Sequence, residues 1–134
     1  MANILIIDDD AYLTRLLKEH LSARGCAVTV AHSGNDGMVQ AMKAAPDVIL
    51  LDVILPDVTG FQMCSRFRKT AATQATPILM MTGFARFPNQ RVFALERGAN
   101  EYLLKPLNLL EVGELVQRYA GSKTAPLPQA KTNP

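Results

Sequence analysis

The sequence predicts an α/β fold, a five-stranded parallel sheet doubly wound by five helices. Three observations carry this. Short apolar runs alternate with stretches of helical periodicity along the chain. The runs are continuously apolar, as in Val48-Ile49-Leu50-Leu51, which suits strands buried on both faces. Four runs end in polar residues of reactive type: Asp8-Asp9-Asp10, Asp52, Thr82 and Lys105-Pro106. Right-handed crossovers between parallel strands would set all these ends on one edge of the sheet. That edge is where open α/β sheets bind ligands.

The elements follow in order. Ile4-Leu5-Ile6-Ile7 is the first strand. Leu13, Leu16, Leu17, His20 and Leu21 mark one face of a helix that Gly25 closes. A second strand runs from roughly Ala27 to Ala31. Met38, Ala41, Met42 and Ala45 recur at helical spacing, and Pro46 ends that helix. The third strand stops at Asp52, and a loop with Pro56 and Gly60 leads to a helix carrying Phe61, Cys64 and Phe67 inward. Thr76-Pro77 precedes the fourth strand, Ile78-Leu79-Met80-Met81. Gly83 to Pro88 reads as a loop, and a shorter helix runs from about Asn89 to Arg97, ended by Gly98. Tyr102-Leu103-Leu104 is the fifth strand, and Val112, Leu115, Val116 and Tyr119 mark the last helix. Helical spacing alone explains the Met and Phe residues of these helices, so they are expected in the core.

The 134 residues make one domain with a real core. Half the chain is apolar and its charge is moderate, which excludes disorder and fibrous classes. No apolar stretch approaches the roughly 20 residues that span a bilayer. No basic leader precedes the first strand, so a cytoplasmic protein is expected. Cys26 and Cys64 lack metal-ligand spacing and read as reduced, packed thiols. Residues 121–134 hold Lys123, Lys131 and three prolines with no acid, and read as a flexible tail after a domain of residues 1–120. Without that tail the chain has twelve basic and twelve acidic residues, so charge makes no case for nucleic-acid binding. A tail this short cannot build a DNA-binding unit, so either a single-domain protein or a truncated one is expected.

Three carboxylates crowded at one edge repel each other unless a cation joins them. A hard divalent ion such as Mg²⁺ prefers oxygen ligands and keeps several waters. Such a cation suggests a phosphoryl group as the other party. Lys105 adds positive charge and Thr82 a hydroxyl donor, and an Asp can act as nucleophile to form an aspartyl-phosphate. Asp52 stands alone on the central strand, while Asp8 and Asp9 are paired for the metal. Asp10 is expected to cap the first helix. Asp57 reads as a turn acid after Pro56, and Asp47 as structural. His20 and His32 have no partner at ligand spacing and read as ordinary.

Ile6-Ile7-Asp8-Asp9-Asp10, Leu51-Asp52-Val53-Ile54-Leu55-Pro56-Asp57, Met81-Thr82-Gly83, Gly98-Ala99-Asn100-Glu101-Tyr102 and Leu104-Lys105-Pro106 together resemble the response-regulator receiver domains of two-component systems. The resemblance covers about residues 3–120 and implies the flavodoxin-like receiver fold. It implies a phosphoacceptor switch without an outside product, with Asp52 taking phosphate from a histidine kinase or histidine phosphotransfer protein. It further implies Mg²⁺ at Asp9, Asp52 and the main-chain oxygen of Ile54, with Asp8 supporting. Thr82 and Lys105 would contact the phosphoryl oxygens, Tyr102 would change rotamer with phosphorylation, and Lys105-Pro106 would be cis. A downstream protein partner and a phosphorylation-dependent homodimer are further expectations. Ile54 and Phe84 fall where the family's hydrolytic water approaches, and both are bulky and apolar. Thr59, Leu107 and the loop Phe84-Ala85-Arg86-Phe87-Pro88-Asn89 depart from the usual pattern.

Two other classes remain open on residues alone. A haloacid-dehalogenase-type hydrolase also uses an Asp nucleophile and Mg²⁺, but this chain is short and lacks a cap and a late acid pair. A flavodoxin-like cofactor binder would need a hydroxyl- and Gly-rich cradle, and Ile7-Asp8-Asp9-Asp10 is neither.

Overall fold

The computed structural model of the chain describes residues 1–83 and 89–122. Strands and helices alternate strictly: β1 (Asn3–Ile7), α1 (Ala11–Ala23), β2 (Ala27–Ala31), α2 (Gly34–Ala44), β3 (Val48–Asp52), α3 (Gly60–Lys69), β4 (Ile78–Thr82), α4 (Gln90–Glu96), β5 (Glu101–Leu104) and α5 (Leu109–Ser122). The strands form one parallel sheet in the order β2-β1-β3-β4-β5. The chain steps outward from β1 to β2, then crosses back to β3. The reversal leaves a crevice beyond the carboxyl ends of β1 and β3.

Continuous apolar strands do bury both faces. Leu5, Ile7, Ile49, Leu51, Ile78 and Met80 pack under α2, α3 and α4. Ile4, Ile6, Val48, Leu50, Leu79 and Met81 pack under α1 and α5. Asp10 caps α1, accepting the Tyr12 and Leu13 amides. Thr59 and Gln62 form a capping box at the start of α3. Gly25 and Gly98 follow α1 and α4 with φ of +91° and +108°, the left-handed turn that stops a helix.

The packed face of α2 differs from the expectation. Its buried residues are Gly34, Gly37 and Ala41, whereas Met42 is 45% exposed. The reason is close approach: a Cβ on Gly37 would lie 2.6 Å from the Ile7 side chain. Small residues therefore face the sheet and the methionine turns outward. Ala45 lies beyond the helix as its left-handed cap. Phe61 and Phe93 are only half-buried, meeting edge to face at 4.8 Å between α3 and α4. Both cysteines are free, Cys64 buried and Cys26 half-buried.

Helix α5 extends through Ser122. Residues 84–88 of the expected loop, Phe84 among them, and residues 123–134 of the expected tail lie outside the described residues. Among the described residues no helix is long and apolar enough to cross a membrane.

Candidate functional site

Strand register delivers the reactive residues to one edge. The Asp8 amide donates to Ala31 at 3.0 Å and prolongs β1 past Ile7. Asp52 and Thr82 are the last residues of β3 and β4. Thr82 pairs with Leu104, and the Lys105 amide donates to the Thr82 carbonyl at 2.8 Å. The Lys105-Pro106 bond is cis.

Asp8, Asp9, Asp52 and Lys105 come together. One carboxylate oxygen from each acid lies within 4.8 Å of the others. Asp8 is fully buried, and its Oδ1 accepts the Asp10 amide at 2.9 Å. Lys105 Nζ donates to Asp8 Oδ2 at 2.7 Å and lies 3.3 Å from Asp52 Oδ1. Burial opposes the charged form of Lys105, but Asp8 and Asp52 outweigh it and raise its pKa above the usual lysine value. Burial first, and then repulsion from Asp8, push Asp52 up to about 6 against the pull of Lys105. The cluster thus offers hard oxygen donors whose net negative charge one lysine leaves uncancelled, a donor set that fits a divalent cation.

The loop after β3 is held from two sides. Gly60 starts α3 so close to β3 that a Cβ there would lie 2.3 Å from the Asp52 carbonyl oxygen. Asp57 accepts the Gly34 and Asn35 amides, each at 2.8 Å, and these bonds lower its pKa. It is a turn acid, as the residues suggested, and it also pins the turn to the start of α2. Ile54 lies between these anchors, bridged to Thr59, with its side chain half-exposed.

Thr82 is buried at the edge, and Tyr102 is buried on β5 two residues before Leu104. The Tyr102 hydroxyl accepts a hydrogen bond from Gln90 Nε2 at 2.6 Å. Burial raises the Tyr102 pKa, and the bond from Gln90 partly offsets this. Asp47 is structural, its Oδ2 accepting the Asn3 amide at 2.8 Å.

Two contributors escaped the residue reading. His32 is no ligand, but its Nδ1–H donates to the Asp8 carbonyl at 3.0 Å. The signal was the register, because Ile7 pairs with Ala31 and sets the next residues side by side. Gln90 is buried at the head of α4. Nothing in its sequence position announces that, since an amide opening a helix reads as solvated.

A family model described as Response regulator receiver domain matches residues 4–117. The DNA-binding dual master transcriptional regulator RpaA of Synechocystis is 35% identical over 97% of this chain, which spans 53% of that protein. The chain thus spans about half the length of the first curated relatives it matches. Protein PilH of Pseudomonas aeruginosa is 35% identical over 81% of this chain and 88% of its own length. Among solved structures, the chemotaxis response regulator CheY4 of Vibrio cholerae superposes with a TM-score of 0.82 at 32% identity, over 89% of this chain and 98% of that one.

Proposed function

The chain belongs to the response regulator receiver domain family, and from that premise we propose that it is a switch phosphorylated on Asp52. Its acidic pocket of Asp8, Asp9 and Asp52 fits a phosphoacceptor site. The single observation that carries the reading is Lys105 joined to both Asp8 and Asp52 at the crevice. The family match spans residues 4–117 and so takes in all five strands and most of the last helix, which gives this reading precedence over a hydrolase or a cofactor binder.

The donor is the phosphohistidine of a histidine kinase or histidine phosphotransfer protein. With its pKa near 6, the Asp52 carboxylate is ionised at neutral pH and can attack phosphorus. The new O–P bond forms as the P–N bond breaks, and the departing imidazole takes up a proton. Charge on the transferring group spreads over its equatorial oxygens, so positioning and fixed positive charge do most of the work. Lys105 supplies that charge, and the Thr82 hydroxyl donates to a phosphoryl oxygen. Asp9, Asp52 and the Ile54 carbonyl would hold Mg²⁺ with Asp8 in support. The ion would neutralise phosphoryl charge when bound.

Phosphorylation adds about −1.5 to −2 charge, which draws in Thr82 and Lys105. Tyr102 responds from the neighbouring strand, and the face of α4, β5 and α5 changes its affinity for a downstream protein or a second copy. We place this receiver unit at residues 1–120, with a tail beyond, in the cytoplasm.

The test is labelling by acetyl phosphate with Mg²⁺, read by mass spectrometry. The parent should gain one phosphoryl group and Asp52→Asn none. Undiminished adduct on the variant would move the acceptor elsewhere.

A further inference from the structure

We infer that Gln90 is a positioning residue: its amide latches Tyr102 in the buried position and thereby holds α4 against β5. The latch rests on geometry, and only its link to Asp52 rests on the phosphoacceptor reading above. Gln90 is 2% exposed at the first position of α4, and Tyr102 is 8% exposed on β5. The 2.6 Å bond between them is a buried side-chain pair across two elements. Losing one partner leaves a buried polar group unsatisfied, which costs more than the bond itself contributes.

Among the described residues, other contacts to neighbouring elements gather at the C-terminal end of this helix, where Cys64 Sγ donates to the Arg97 carbonyl at 3.3 Å and Arg68 donates to the Gly98 carbonyl. Seven residues are too few for a helix to persist on its own. Asn89 makes no side-chain capping bond, and only Gln90 and Ala94 are buried. Val92 is exposed, and the Arg91 contact to the Tyr102 carbonyl is long, at 3.4 Å. The edge contact of Phe93 with Phe61 ties α4 to α3. The placement of the N-terminal end of α4 on the sheet therefore depends on where the Tyr102 ring sits.

Tyr102 is also close to the acidic edge in register. It precedes by two residues the Leu104 that pairs with Thr82. A ring with a latched and an unlatched position gives a two-state element that both ends can bias. If phosphoryl binding favours the latched ring, removing the amide reduces the competent fraction. Apparent affinity at Asp52 falls by the same factor.

The test uses the whole chain, with beryllofluoride and Mg²⁺ as the phosphoryl mimic. Gln90→Ala should weaken beryllofluoride binding about fivefold, the equivalent of one hydrogen bond. Tyr102 ring resonances should become accessible to a soluble nitroxide, while those of Tyr119 stay shielded. Gln90→Glu, whose carboxylate can accept the Tyr102 hydroxyl proton, should restore both. A Tyr102 ring still shielded in Gln90→Ala overturns the latch. A freed ring with parental affinity overturns its link to Asp52. A parent that takes up no beryllofluoride sinks the phosphoacceptor reading, and the nitroxide measurement still decides the latch. Should Gln90→Ala fail to fold, Gln90→Leu, which keeps the volume without the amide, answers the same two questions.

Discussion

The ammonium of Lys105 bonds the buried Asp8 carboxylate at 2.7 Å, joining residues 97 positions apart. A carboxylate with no exposed surface is costly unless paired, so this contact stabilises the fold as well as shaping the site. Lys105→Met should destabilise the chain by about 3 kcal/mol, because it strands a buried charge. Urea denaturation measures it. Asp8→Asn added to Lys105→Met should recover part of the loss, since the fully buried charge is removed together with its partner. Additive losses would show that the pair is uncoupled.

Asp52 sets a pH dependence whose sign can be worked out. Its pKa rises from 3.8 to about 6 on folding, so the folded chain holds that proton more tightly. Stability contributed by the protonated form is full below about 4 and is lost as pH rises through about 6. At about 1.4 kcal/mol per unit, ionised Asp52 costs the fold roughly 3 kcal/mol at pH 8. Asp52→Asn should melt higher than the parent at pH 8 and converge with it at pH 4. Mg²⁺ should raise the melting temperature of the parent more than that of the variant. Parallel stability curves across this range would rule the effect out.

Arg68 should prove a structural keystone with no part in the chemistry. Its guanidinium bonds the carbonyls of Gly98, Thr73, Gln74 and Thr76, and also Asn100 Oδ1. Asn100 Oδ1 accepts the Ile78 amide in turn, so the cluster fixes where β4 begins. Burial lowers the Arg68 pKa. A lysine cannot reproduce the planar fork, so Arg68→Lys should cost about 2 kcal/mol. A denaturation midpoint unchanged from the parent would contradict this. Acetyl phosphate labelling of Arg68→Lys should stay intact under native conditions.

The sheet and the acidic edge were legible because four of the five strands carry an apolar run that ends in a chemically distinctive residue. Asp8, Asp9, Asp52 and Lys105 needed only strand order to be brought together. Helix faces were less legible where distance, not hydrophobicity, decides burial. Gly37 lies against Ile7 because it has no side chain, and hydropathy gave that stripe to Met42. Polar groups buried by one partner were hidden as well. His32 and Gln90 each become meaningful only once a neighbouring strand supplies the Asp8 carbonyl or the Tyr102 hydroxyl.

Phosphoryl lifetime should be long. A hydrolytic water must be oriented beside the acyl phosphate, and positioning accounts for a large part of such a barrier. Ile54 lies two residues beyond Asp52, and its side chain is 49% exposed. In the receiver family the hydrolytic water approaches beside this position, and a branched apolar group has no hydrogen bond to offer it. Phosphorylated Asp52 should therefore lose phosphate slowly, leaving a phosphatase or back-transfer to the donor to end the signal. Ile54→Asn introduces a group that can hold a water, and it should speed the loss about tenfold, or about 1.4 kcal/mol of barrier. Adding Phe84→Glu should accelerate it further. Following acyl-phosphate decay in the parent and both variants after removal of acetyl phosphate decides the point. Equal rates in all three would discard the shielding role of Ile54.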